Sequence, residues 1–180
     1  ASMQKSNRVI YIGSLSKVLT PGFRIGYIVA PESIIKLCTN QVMLIDRQGN
    51  QITELAVAEL LHTGEIKKHI LRTLKIYEER RAHISNLLQE ELSEYLSFKL
   101  AVSGLAIWLQ LGSEINLKVL VEDAETEKIR FQLGKFFSED ESQVHGIRMG
   151  FANLNNDEIT QGILRLKNTF SRQHVNLLSA

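Results

Sequence analysis

Lys17 ends the run Gly13-Ser14-Leu15-Ser16-Lys17, and Arg24 follows seven residues later within Pro21-Gly22-Phe23-Arg24-Ile25-Gly26-Tyr27. A lysine amine attacks an aldehyde only in its neutral form, which neighbouring cations favour in general. A phosphate asks for hydroxyl donors and a fork-shaped cation. Ser14, Ser16 and Arg24 supply those types within one loop and the strand after it. Together with Lys17 they could hold a phosphorylated aldehyde. Either serine could be the closer phosphate donor, because turn serines also bond their own backbone. Taken singly, Lys17 is an ordinary solvated lysine and Arg24 an ordinary strand-edge charge. The specificity lies in the whole run through Tyr27.

Arg148 is a third cation in an informative place. It stands in Gly146-Ile147-Arg148-Met149-Gly150-Phe151-Ala152, a mostly apolar strand pattern in which a charge is costly without a partner. The pattern predicts that something anionic meets it, either a bound ligand or a nearby acid in a structural ion pair.

The elements that must position these residues follow from periodicity. Residues 9–12 and 25–29 are short β-branched runs that predict two buried strands on either side of the polar stretch, with Pro21-Gly22 marking a turn between them. Helices are predicted from Pro31-Glu32-Ser33 onward and over 53–62, the latter stopping at Gly64. From 65 to 95 the apolar positions Ile66, Ile70, Leu74, Tyr77, Ile84, Leu88, Leu92 and Tyr95 recur as one face of a long helix. Its charges are balanced along the stretch, which predicts a solvated face and no DNA-binding stripe. Beyond it the pattern predicts strands over 98–102 and 106–111, a helix over 116–122, strands over 128–132 and 146–152, and a helix over 157–170. Trp108 and Tyr77 are expected in the core, and His69 is expected to pack or cap on a helix face. The first residues, Ala1 to Met3, look like a cloning remnant before a strand.

Lysine and arginine number 21 against 20 acids, a balance without the electrostatic footprint of a nucleic-acid-binding domain. The single Cys38 cannot form an internal disulfide. It has no neighbours at ligand spacing, so no metal site is expected and Cys38 reads as a packed apolar residue. No secretory leader and no apolar run near the roughly 18 residues of a membrane span is present, which predicts a cytoplasmic protein without membrane attachment.

The run from Ser14 to Tyr27 resembles the fold type I aminotransferases that depend on pyridoxal 5'-phosphate (PLP). The resemblance extends over nearly the whole chain, from Arg8 to Phe170. It implies that Lys17 forms a Schiff base with PLP in the full-length protein, that Ser14 and Ser16 lie near the phosphate, and that Arg24 pairs with it. It also implies that Arg148 grips the α-carboxylate of a substrate or effector. The fold class implied is α/β: residues 1–62 end the large PLP-binding domain, and 63–180 form a long interdomain helix and an α+β small domain. The helix from Gly64 through His69, Arg72 and Tyr77 to Arg81 is similar to that of MocR-type regulators of the GntR family. Those are bacterial transcription factors that fuse a DNA-binding domain to an aminotransferase-like one. The implied function is therefore an effector domain of a transcriptional regulator, with a genuine class I/II aminotransferase as the alternative. A homodimer, an amino acid or related amino compound as effector or substrate, and DNA contact only through an N-terminal domain outside this sequence are implied as well. The family's remaining cofactor contacts precede the lysine motif, so the sequence reads as a fragment that is inactive alone.

Overall fold

The structure, a computed structural model, describes residues 8–47, 49–139 and 144–178. Ala1 to Met3 lie outside the described residues. The chain divides into two compact units, Ala1–Thr73 and Leu74–Ala180.

In the first unit β1 (Tyr11–Ser14) pairs antiparallel with β2 (Gly26–Val29), in a register running from Tyr11 opposite Val29 to Ser14 opposite Gly26. A single 3-10 turn over Pro21–Phe23 lies in the connection, where Pro-Gly predicts a turn. Helix α1 (Glu32–Ile45) starts behind Pro31, whose fixed φ suits a helix start. Asn50 caps α2 (Gln51–His62) by accepting from the Thr53 amide. Gly64, at a φ of 77°, then turns the chain into α3 (Glu65–Leu92).

The two strands are not buried as expected: Ile12 is 73% exposed. They form a ribbon of their own, and α1 faces it across a cavity of about 480 Å³ lined by Ile12, Ile28, Ile35, Cys38 and Val42. An apolar run is buried only where a second layer covers it. Cys38 is half-buried at this cavity.

The second unit holds an antiparallel sheet in the order β3-β4-β6-β5: β3 (Leu96–Phe98), β4 (Ala106–Leu111), β5 (Gln132–Leu133) and β6 (Gly146–Gly150). Period-two alternation sends Ile107, Leu109 and Ile147 to one face, where they pack with Ile84, Leu88 and Leu92 of α3. Leu120 of α4 (Leu117–Thr126) and Phe170 of α5 (Asn156–Leu178) complete that core. Asn155 and Glu158 start α5 as a reciprocal capping box, each side chain accepting from the other's amide.

Several boundaries differ from the sequence pattern for identifiable reasons. The strand expected over 98–102 is displaced to Leu96–Phe98, because the pairing of Leu96 with Leu111 and Phe98 with Leu109 puts apolar residues on the core face. Leu100 and Val102 are left in an exposed connection with Gly104 at a φ of 104°. The strand expected over 128–132 is shortened and shifted to Gln132–Leu133, because its first residues close α4. The Lys128 amide donates to Glu125 and the Ile129 amide to Ala124, with Lys128 left-handed at a φ of 59°, a Schellman ending. The long helix stops at Leu92, short of 95, and β6 at Gly150, short of 152. The last helix continues past 170 to Leu178. Trp108 is not a core residue: it alternates with Ile107 and Leu109 and lies half-buried on the opposite sheet face, edge-on to Phe137. Tyr77 is likewise only half-buried. Among the described residues no helix is long and apolar enough to cross a membrane.

Leu109 has no exposed surface. Leu109→Ala should therefore lower unfolding free energy by about 2–5 kcal/mol, whereas Leu164→Ala on the outer side of α5 should stay within about 1 kcal/mol. Urea denaturation of the 180-residue chain measures both; equal midpoints would contradict the assignment of the core.

Candidate functional site

The strand pair sets the geometry around Lys17. One step beyond the pairing of Ser14 with Gly26, the Leu15 amide donates to the Ile25 carbonyl at 3.0 Å and closes the base of the connection. Inside it the Leu15 carbonyl accepts from the amides of Val18 (3.1 Å) and Leu19 (2.8 Å), so Lys17 sits in one helical turn. The Ser16 amide donates to Ser14 Oγ at 3.2 Å, which fixes the backbone just before the lysine and leaves the Ser14 hydroxyl hydrogen free to donate elsewhere. On the return side the Arg24 amide donates to the Pro21 carbonyl at 3.4 Å. Arg24 itself is left-handed, with φ 51° and ψ 36°. A non-glycine residue held there stores about 1–3 kcal/mol of strain, which concentrates at functional sites.

Ser14, Ser16, Lys17 and Arg24 thus belong to one hairpin connection. Lys17 and Arg24 are exposed, and among the described residues no carboxylate forms an ion pair with either.

Two glycines let the strands approach. A Cβ on Gly26 would stand 2.9 Å from the Gly13 carbonyl oxygen, and one on Gly13 would stand 2.3 Å from the Tyr27 ring. Tyr27 therefore covers Gly13, with the Tyr11 ring centre 5.9 Å away. A hydrogen bond with the Tyr11 side chain, reinforced by their mutual repulsion, pushes the Tyr27 phenol above its ordinary range, so it stays neutral at physiological pH.

Arg148 lies in the second unit, on the face of the sheet opposite the core. The register puts Trp108 on one side of it and Gln132 on the other. Its Nη1 donates to Gln132 Oε1 at 3.0 Å. The partner is a neutral amide: among the described residues no acid pairs with Arg148, and the structural ion pair left open by the sequence is not formed. One amide oxygen uses one of five guanidinium donors and leaves the charge uncompensated.

The sequence pattern assigned no role to His69, yet its Nε2 lies 3.0 Å from the Val18 carbonyl oxygen, one residue beyond Lys17. Gln132 was missed as well. Both are neighbours only through the fold, across 51 and 16 residues of chain, and neither has a local signal.

The chain belongs to the aminotransferase class I and II family, whose profile matches residues 1–166. It is 30% identical over 165 residues to the uncharacterized HTH-type transcriptional regulator YdeL of Bacillus subtilis, a match that covers 92% of this chain and 36% of the regulator. It is 27% identical to aromatic-amino-acid aminotransferase 1 of Thermococcus litoralis, over 94% of this chain and 40% of that enzyme. Among solved structures, the kynurenine aminotransferase of Pyrococcus horikoshii, crystallised with PMP, superposes with a TM-score of 0.85 at 28% identity. That superposition covers 96% of this chain and 43% of the enzyme chain. The fold is therefore the α/β fold of this family, in an aminotransferase-like chain with transcriptional-regulator relatives. The chain spans little more than a third of the length of the curated relatives it matches.

Gly26→Ala must move the Gly13 carbonyl, at a cost of about 1–3 kcal/mol to the local pairing. The Leu15 amide should then exchange its hydrogen at least about tenfold faster, as read by hydrogen exchange in the intact protein. Unchanged protection would show that the close approach does not control the connection.

Proposed function

We propose that this chain is part of a PLP-binding, aminotransferase-like effector domain of a bacterial transcriptional regulator. In this reading Lys17 is the covalent anchor of PLP, Ser14 or Ser16 and Arg24 hold its phosphate, and Arg148 takes the α-carboxylate of an amino acid or related amino compound. The observation that carries the reading is the hairpin connection that gathers two hydroxyls and two cations around one strained turn, neither cation in an ion pair among the described residues. Those groups fit the cofactor by chemistry: a primary amine for the aldehyde, hydroxyl donors and a planar fork for the phosphate. When bound, PLP supplies an electron sink for charge that develops at a substrate α-carbon.

The rest is the work of this chain's own groups. Arg24 offers the phosphate a bidentate partner, and Arg148, held by Gln132, presents its remaining donors to a carboxylate. The regulator is preferred to a free enzyme because YdeL and a second Bacillus subtilis HTH-type regulator, YdfD, stand among the curated relatives that match over 92% of the chain. Such a protein would act as a homodimer whose DNA-binding state shifts with the ligand, through a DNA-binding domain elsewhere in the full-length protein. The second reading is an aminotransferase that transfers an amino group between an amino acid and a 2-oxo acid. The Thermococcus litoralis enzyme favours it. In that case Lys17 also moves a proton at the substrate α-carbon.

Borohydride reduction of the full-length protein with PLP, followed by peptide mass mapping, should place the cofactor mass on Lys17 alone. Mass on another lysine, or on none, would remove the anchor from the proposal.

Arg24→Ala should weaken PLP binding by roughly 10- to 100-fold, as expected for a lost charge-assisted pair of about 1.5–3 kcal/mol. Arg24→Lys keeps the charge without the fork and should fall between Arg24→Ala and wild type. Titration by absorbance reads both. Equal affinity for wild type and Arg24→Ala would rule out the phosphate role.

A further inference from the structure

We propose that His69 is a positioning residue for Lys17, its imidazole Nε2–H donating to the Val18 carbonyl and so fixing the Val18–Leu19 peptide, one residue beyond the lysine. The two atoms lie 3.0 Å apart, both on half-buried residues. The role rests on the anchoring function proposed for Lys17 above.

The Lys17 side chain is exposed and has no ion-pair partner among the described residues, so nothing at its own end dictates where the amine is presented. Its direction is set by the backbone within one residue on either side. Before it, the Ser16 amide is tied to Ser14 Oγ. After it, the Val18 amide closes the turn onto Leu15, while the Val18 carbonyl takes its hydrogen bond from His69. The lysine is thereby held at both ends by contacts that its own side chain does not make. His69 is placed for this by the helix: it lies three residues after the buried Ile66 and next to the half-buried Ile70, on the inward side of α3. Its own carbonyl accepts from Thr73 Oγ1 at 3.0 Å, so its backbone is anchored within the same helix. A carbonyl that is half-buried and loses its donor must find water or move, and here movement carries Lys17 with it.

Two substitutions separate reach from polarity. Gln at 69 offers an amide N–H at nearly the distance of imidazole Nε2, whereas Asn offers the same group one methylene short. In the full-length protein, PLP is added to the cofactor-free form, adducts are trapped with borohydride at intervals, and peptide mapping gives the rate of attachment at Lys17. His69→Asn should slow attachment about tenfold, the worth of one partly buried hydrogen bond, and His69→Gln should remain within about twofold of wild type. A role confined to helix packing predicts one rate for both variants, and that result overturns the proposal. Nitrogen-15 histidine labelling of the wild type gives a readout that needs no variant: a proton on Nε2 supports the contact, and a ring protonated on Nδ1 alone overturns it. Wild-type protein with no adduct at Lys17 overturns the anchoring function and this role together. An adduct that forms at one rate in wild type and both variants overturns the role of His69 alone.

Discussion

The approach of β1 to β2 at Gly13 and Gly26 is the constraint on which the candidate site depends. Antiparallel pairing fixes Ser14 opposite Gly26, and the Leu15 to Ile25 hydrogen bond adds one more rung. The residues between those rungs then have to reverse direction within a closed base. They do so with one helical turn at Lys17, a 3-10 turn at Pro21 and a left-handed residue at Arg24. A side chain on Gly26 would meet the Gly13 backbone, and one on Gly13 would meet the Tyr27 ring. Register, turn and cation placement are consequences of one another, and the strain at Arg24 is the conformational cost of closing that loop.

Helix α3 answers a different demand at each end. In the first unit it offers Ile66 and His69, an apolar anchor and a hydrogen-bond donor. In the second it offers Ile84, Leu88 and Leu92, which are almost wholly buried against the sheet and α5. The sequence shows the second role plainly, because apolar residues every three or four positions are the signature of an inward helix face. It hides the first, because a lone histidine among lysines and arginines has no period of its own.

This contrast explains how much was legible. The lysine, its serines and Arg24 stood out as candidates because the proposed chemistry requires specific types at short spacing, and the long helix was visible because its burial is periodic. The α/β class, most element types and the aminotransferase likeness followed from those two signals. Boundaries in the second unit were not visible, because tertiary pairing overrode local pattern. Leu96 and Phe98 gained burial by facing Leu111 and Leu109, which left Leu100 and Val102 as connection despite their apolar character. Lys128 and Ile129 were taken by the end of α4 before a strand could begin. Trp108 was misplaced for a related reason. Its size suggests a core, but its parity on β4 is that of the open face, where the absent Cβ of Gly146 makes room for its ring.

That no acid among the described residues pairs with the three cations has a physical logic of its own. A carboxylate beside the exposed Lys17 or Arg24 would improve the stability of the empty protein only slightly, by about 0–1 kcal/mol. It would compete directly with any anionic ligand, and displacing it would cost affinity on every binding event. Gln132 shows the compromise at Arg148, where an amide oxygen orients the guanidinium without neutralising it. In the role proposed for His69, it and Ser14 do the equivalent for Lys17 by bonding backbone atoms on either side of it. Neutral partners can fix where a cation points while its charge remains available, and that combination suits the proposed hold on an anionic cofactor and a carboxylate, for sensing or for transformation alike.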